Sequence, residues 1–136
     1  VEENQEIFEI ARKNDFKVVC FIAPTTTDQR VSLITQKAQG FLYYISVVGI
    51  TGIRDKLPDD IIQNINKLKQ MTNIPVAVGF GVSTSEHAKL IGTVADGVIV
   101  GSAIMREIEK YAKEPSEELV RGVGEFVGQL ISGAKG

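Results

Sequence analysis

An α/β fold built on a parallel sheet is what this sequence predicts, and three observations carry the prediction. Short apolar segments alternate with helix-patterned segments four times along the chain, the rhythm of right-handed βαβ units. The first apolar segment, residues 17–23, is apolar on consecutive positions (Val18-Val19-Cys20-Phe21-Ile22-Ala23), as expected of a strand covered by helices on both faces. The last two strands each end in glycine and run straight into a helix. The 136 residues suffice for one domain with a real core.

Each element has its own signal. Residues 1–14 read as a helix, with Ile7, Phe8, Ile10 and Ala11 striped among charges. The strand at 17–23 is broken by Pro24-Thr25-Thr26-Thr27. Thr26 and Gln29 have capping-box spacing, and Val31, Leu33, Ile34 and Ala38 carry a helix to a stop at Gly40. Residues 41–45 (FLYYI) form the second strand. A long irregular stretch, 46–57, precedes Pro58, which suits the start of a helix through Ile61, Ile65, Leu68 and Met71. The third strand is 74–78. Ser83 and Glu86 suggest a second capping box, and Ala88, Leu90 and Ile91 continue that helix. The fourth strand is 97–100, and helices over 102–112 and 116–132 close the chain.

The two glycine turns, Gly79-Phe80-Gly81 and Gly101-Ser102-Ala103, carry the chemistry. Glycine lets backbone approach a ligand closely, and a helix start offers unpaired N–H groups at the positive end of its dipole. Two such corners on consecutive βα units predict one cup for a phosphate. Charge-assisted hydrogen bonds contribute about 1.5–3 kcal/mol each, so a few amides can hold a phosphate without a lysine. Open sheets bind ligands at a switch point, whereas barrels bind phosphate at the last two strands beside an extra helix. That position favours the closing half of a (β/α)8 barrel. The chain is thus read as one partial domain over 1–136: four parallel strands, covering helices and an extra C-terminal helix.

Composition narrows the function classes. With 43% hydrophobic and 24% charged residues and a net charge of −2, the chain has no broad field for nucleic acid or anionic membranes. One cysteine, Cys20, excludes an internal disulfide and reads as a buried strand residue. No segment has the length of a membrane span or the pattern of a signal peptide, so a reducing cytoplasm is expected. The start at Val1, inside helix-like sequence, points to a piece of a longer polypeptide. His87, the one histidine, reads as a solvent-facing helical residue with no triad or metal partners. Asp55, Asp59 and Asp60 flank the long loop and read as helix-dipole partners. The loop itself reads as a lid or binding surface, because a dozen irregular residues are uncommon in a compact α/β pattern.

Residues 43–52 (YYISVVGITG), 79–83 (GFGVS) and 96–104 (DGVIVGSAI) resemble the tryptophan synthase alpha chain family, in order and through the whole chain. The match corresponds to the second half of that family's TIM barrel, its strands five to eight. The phrase S-x-x-G-[IV]-T-G makes the resemblance specific, since GFG and GSA turns occur in several phosphate-binding barrels. It implies a lyase that splits indole-3-glycerol phosphate into indole and glyceraldehyde 3-phosphate for tryptophan biosynthesis. It also implies a heterotetramer with a beta subunit, which alone carries pyridoxal phosphate; this chain is expected to hold no cofactor and no metal. The family's phosphate donors fall on Gly52, Gly81, Gly101 and Ser102, and the indole wall on Tyr43, Phe80 and Ile99. Thr51 falls on the mobile loop that closes over substrate and meets the beta subunit. Val100, where some relatives carry serine, is a small departure in wall packing.

The resemblance also implies an absence. The family's catalytic glutamate and aspartate lie in the first half of the barrel, so no residue here inherits either role. The expectation is phosphate-ester binding without turnover. Two other readings stand beside it. One is a different phosphate-binding barrel enzyme with the same glycine turns. The other is a non-catalytic half-barrel that self-associates, because a sheet cut from a barrel exposes two edges, at 17–23 and 97–100, and one apolar face; the isolated chain is expected to dimerise, aggregate or require the missing N-terminal half of the barrel.

Overall fold

The computed structural model describes residues 5–46, 57–79 and 81–136. Among the described residues ten elements follow one another: α1 (Gln5–Lys13), β1 (Cys20–Ile22), α2 (Asp28–Lys37), β2 (Leu42–Ile45), α3 (Asp59–Met71), β3 (Val76–Gly79), α4 (Ser85–Gly92), β4 (Gly97–Val98), α5 (Ser102–Lys110) and α6 (Ser116–Lys135). All strand pairs are parallel, and the sheet order is β1-β2-β3-β4. Sequential order with helical crossovers is the local topology of one arc of a (β/α)8 barrel. The edges are β1 and β4, as the sequence predicts.

The helices cover one face of this sheet. Leu42, Tyr44, Val76 and Val78 point to them and are almost completely buried. Against these side chains α2 sets Val31 and Ile34, α3 sets Ile61, Ile65 and Leu68, and α4 sets Ala88 and Ile91. The α3 spacing of i, i+4 and i+7 places its three buried residues on one stripe. At the sheet's two sides, α1 contributes Phe8 and α6 contributes Leu130 to the same cluster. Helices α4 and α6 approach closely: a Cβ on Gly92 would strike the Ala134 carbonyl, and one on Gly133 the Ser85 carbonyl.

The opposite face of the sheet is open. Phe21 is 59% exposed and Ile45 38% exposed. Consecutive burial in the first strand is therefore corrected to strict alternation: Cys20 and Ile22 are buried and Phe21 is not. Among the described residues, only one face of β1 has helices on it. Strand pairing is also shorter than the apolar runs, three residues in β1 and two in β4.

Two helix starts differ from expectation. At α2 the N-cap residue is Thr27, and the Thr26 hydroxyl accepts instead from the Ala23 amide at 3.0 Å, closing the turn after β1. At α4 the cap is Thr84, whose hydroxyl accepts from the His87 amide at 3.2 Å; Ser83 lies outside the helix. Neither predicted capping box forms. Helix α2 stops at Lys37 with Ala38 as its C-cap, two residues before Gly40. Pro58 immediately precedes α3, and Asp59 and Asp60 occupy its first turn, where they suit the dipole.

Candidate functional site

The candidate site lies where β3 and β4 end. Their register pairs Ala77 with Gly97 and Val78 with Val98. The Ile99 amide then donates to the Val78 carbonyl at 2.9 Å, which carries the ladder one step further. Gly81 and Gly101 each stand three residues beyond the paired Val78 and Val98, so the two corners leave the sheet side by side. They face the same end.

Both corners are open. Gly81 has φ +63°, a conformation that side-chain-bearing residues rarely adopt, and a Cβ built there would meet nothing within 4 Å. A Cβ on Gly101 would likewise meet nothing. Gly101, Ser102 and Gly81 are all exposed. Gly101 caps α5, and the first bonds of that helix run from the Ile104 and Met105 amides to the Gly101 carbonyl, at 3.0 and 3.2 Å. The Ser102 and Ala103 amides come before this first bonded turn and are left to face a ligand. Helix α5 has no acidic residue in its first turn, so nothing there competes with an anion for the dipole.

A wall stands next to the corners. Tyr43 packs on Phe21 with ring centroids 5.1 Å apart and planes tilted by 44°. Its ring also reaches over Gly79, where a Cβ would come within 2.5 Å of the phenol oxygen. Gly79 is more than a strand end: it is glycine because Tyr43 lies across it. Tyr44 turns the other way into the core, as strand alternation requires. Ile99 is half-buried and level in register with Gly79.

Strand register therefore places Gly81 and Gly101 beyond the same end of β3 and β4, with Ile99 level with Gly79 and the half-buried Val100 and exposed Ser102 flanking Gly101, while the described contact of Tyr43 is with Gly79. Gly52, Thr51, Phe80 and Asp55 lie outside the described residues. His87 is corrected from solvent-facing to half-buried, with its Nδ1 atom buried. Sequence reasoning misses Phe21, which sits inside an apolar run. The signal that finds it is its pairing with Tyr43 across β1 and β2.

At the far end of the sheet a different residue ties the strands. The Asp96 carboxylate accepts from the Lys69 ammonium at 2.7 Å and from the Val76 amide at 2.9 Å. The Lys69 hydrogen bond, then the Val76 amide, hold its pKa below the usual carboxylate value. The Cys20 thiol is buried, and desolvation pushes its pKa up. Among the described residues no cluster of three or more His, Cys, Asp or Glu side chains is placed to hold a metal ion. Among them, no helix is long and apolar enough to cross a membrane.

Comparison with known proteins follows this geometry closely. Residues 1–134 match the family model described as tryptophan synthase alpha chain. A tryptophan synthase alpha chain from Chloroflexus aurantiacus is 38% identical over 132 residues, covering 97% of this chain and 48% of that protein. Among solved structures, tryptophan synthase subunit alpha from Legionella pneumophila superposes with a TM-score of 0.81 at 27% identity. The match covers 98% of this chain and 48% of that one. A mutant tryptophan synthase alpha-subunit from the hyperthermophile Pyrococcus furiosus gives 0.76 at 33% identity, over 94% and 50%. The chain spans about half the length of the relatives it matches.

Proposed function

The chain belongs to the tryptophan synthase alpha chain family, and we propose that it supplies the phosphate- and indole-holding half of an indole-3-glycerol phosphate lyase. In this reading the amides of Gly81, Gly101 and Ser102, with Gly52 on the long loop, hold the phosphate. Tyr43, Phe80 and Ile99 form the indole wall, and Thr51 lies on the segment that closes over substrate and meets the beta subunit. The observation that carries the proposal is the pair of open glycine corners side by side at the ends of β3 and β4, one leading into the unpaired amides of α5.

Carbon–carbon cleavage of this substrate requires an acid at the ring carbon and a base at the glycerol hydroxyl, each within hydrogen-bond reach. Around the described cup, Tyr43 is the one side chain with a titratable proton, and it stands as a wall. The chain alone therefore binds the phosphate ester and releases no indole. The cofactor pyridoxal phosphate belongs to the beta subunit in this reading, and the working compartment is the cytoplasm.

Calorimetric titration with indolepropanol phosphate tests the cup. Gly81→Val imposes a side chain on a positive-φ corner and is expected to weaken binding at least ten-fold. Equal affinity for the variant and the parent chain removes Gly81 from the phosphate site.

A further inference from the structure

A cavity lies on the helix-covered face of the sheet, away from the glycine corners. It opens between α2 and α3 and has a volume of about 120 Å³. Ile22, Val31 and Leu68 make its apolar wall, and all three belong to the core. Tyr44 and Asn64 stand in its polar wall. Tyr44 is 2% exposed, and its hydroxyl is buried with no hydrogen-bond partner among the described residues. Buried hydroxyls in folded proteins are ordinarily hydrogen-bonded. This one is an exception, and it stands beside a space large enough to hold a partner.

The charges around the cavity cancel. The Lys67 ammonium lies 2.5 and 2.6 Å from the two Asp28 carboxylate oxygens, tying α3 to the first residue of α2. Both residues line the cavity, and both side chains are exposed. Burial pushes the Tyr44 phenol up from its ordinary pKa, the Asn64 side chain pulls it down, and the Asp60 charge pushes it up again. The net direction is upward, so the phenol is neutral at pH 7, a donor and an acceptor at once. Asn64, half-buried, brings a carbonyl oxygen and an NH₂ group side by side. A charged ligand would give up its water here with no uncancelled counter-charge to meet. A neutral one loses far less.

We propose that this cavity is a binding site for a small neutral amide with a short alkyl tail. The amide head pairs reciprocally with the Asn64 side chain and takes the Tyr44 hydroxyl as a further partner. The tail lies on Ile22, Val31 and Leu68. Size sets the limit: an apolar cavity of about 150 Å³ takes benzene, so the ligand here has no more than about six non-hydrogen atoms. The exposed Lys67–Asp28 pair marks the side from which it enters. The inference is independent of the phosphate cup, because Tyr44 and Tyr43 face opposite sides of β2.

A nuclear magnetic resonance titration of the chain with propionamide tests this, with xenon as the apolar control. The methyl signals of Ile22, Val31 and Leu68 should move with propionamide along one saturable curve. Tyr44→Phe removes one hydrogen-bond partner of the head and is expected to weaken propionamide binding about five-fold, while xenon uptake persists. Its urea midpoint should not fall, since no bond within the chain is lost. Asn64→Leu, at a half-buried helical position, should weaken propionamide binding by at least as much and gives an independent reading of the same site. Xenon uptake without saturable propionamide binding would show a merely apolar cavity and overturn the proposal. Affinity unchanged in both variants would overturn it too, and so would a lowered midpoint in Tyr44→Phe, which would mean that the hydroxyl already has its partner inside the chain.

Discussion

The two faces of one sheet differ more than any two elements of this molecule. On the helix side, Leu42, Val76 and Val78 have no exposed surface at all. On the other side, Phe21 and Ile45 meet solvent over more than a third of their area. The same strands make both faces, so strand propensity cannot be the cause. The difference lies in what each face is built to meet. The outer face is packed by helices of this chain, whereas the inner face presents an aromatic pair and a row of glycines. Stability is concentrated on the first face, and the candidate chemistry on the rim of the second.

Substitutions can break that contrast in order of size. Leu42→Ala on the packed face should cost about 2–5 kcal/mol, the range for deleting a buried leucine side chain. Urea unfolding would show it as a fall in midpoint with little change in slope. Gly79→Val acts on the other face. Its side chain must push the Tyr43 ring aside, so indolepropanol phosphate binding is expected to fall several-fold, with a much smaller loss of stability than for Leu42→Ala. Thr84→Ala removes the α4 cap and should cost about 1 kcal/mol. Phe21→Ser, on the open face, should move unfolding by no more than about 0.5 kcal/mol. A cost as large as that of Leu42→Ala would show that the inner face is packed in solution.

Asp96 gives the contrast a pH signature at the end of the sheet away from the cup. Its folded pKa lies below the ordinary value of 3.8 because Lys69 and the Val76 amide favour the carboxylate. The stabilisation is therefore complete above that value and is lost as pH falls through the folded pKa. Both side chains are more than a third exposed, so solvent screening keeps the effect small. Asp96→Asn should flatten the acid limb of the stability curve while leaving stability near pH 7 only slightly lower. An unchanged acid limb would remove Asp96 from the account.

Much of this is legible without coordinates. Alternation of apolar and helix-patterned segments gives the parallel sheet and its order, because crossovers of that length admit few topologies. Glycine at both strand ends locates the candidate cup, since open corners and free helix amides leave a mark on composition. The register parity that separates Tyr43 from Tyr44 is likewise readable. Burial is less so. An apolar run in β1 looks the same whether one face or both are covered, and only the missing roof over Phe21 separates the cases. Helix caps fail for a local reason. Thr26-Thr27 and Ser83-Thr84-Ser85 each offer adjacent hydroxyls, and the tertiary path of the turn decides which becomes the cap. Gly79 is a third kind of case. Its explanation is a ring on the neighbouring strand, which no local pattern contains.

The cup itself is most directly tested by amide chemical shifts in a titration with indolepropanol phosphate. The Gly81, Gly101, Ser102 and Ala103 signals should move together along one binding curve, while those of Val76 and Asp96 at the opposite end stay still. Shifts confined to one corner, or two corners that saturate at different ligand concentrations, would contradict a single shared site.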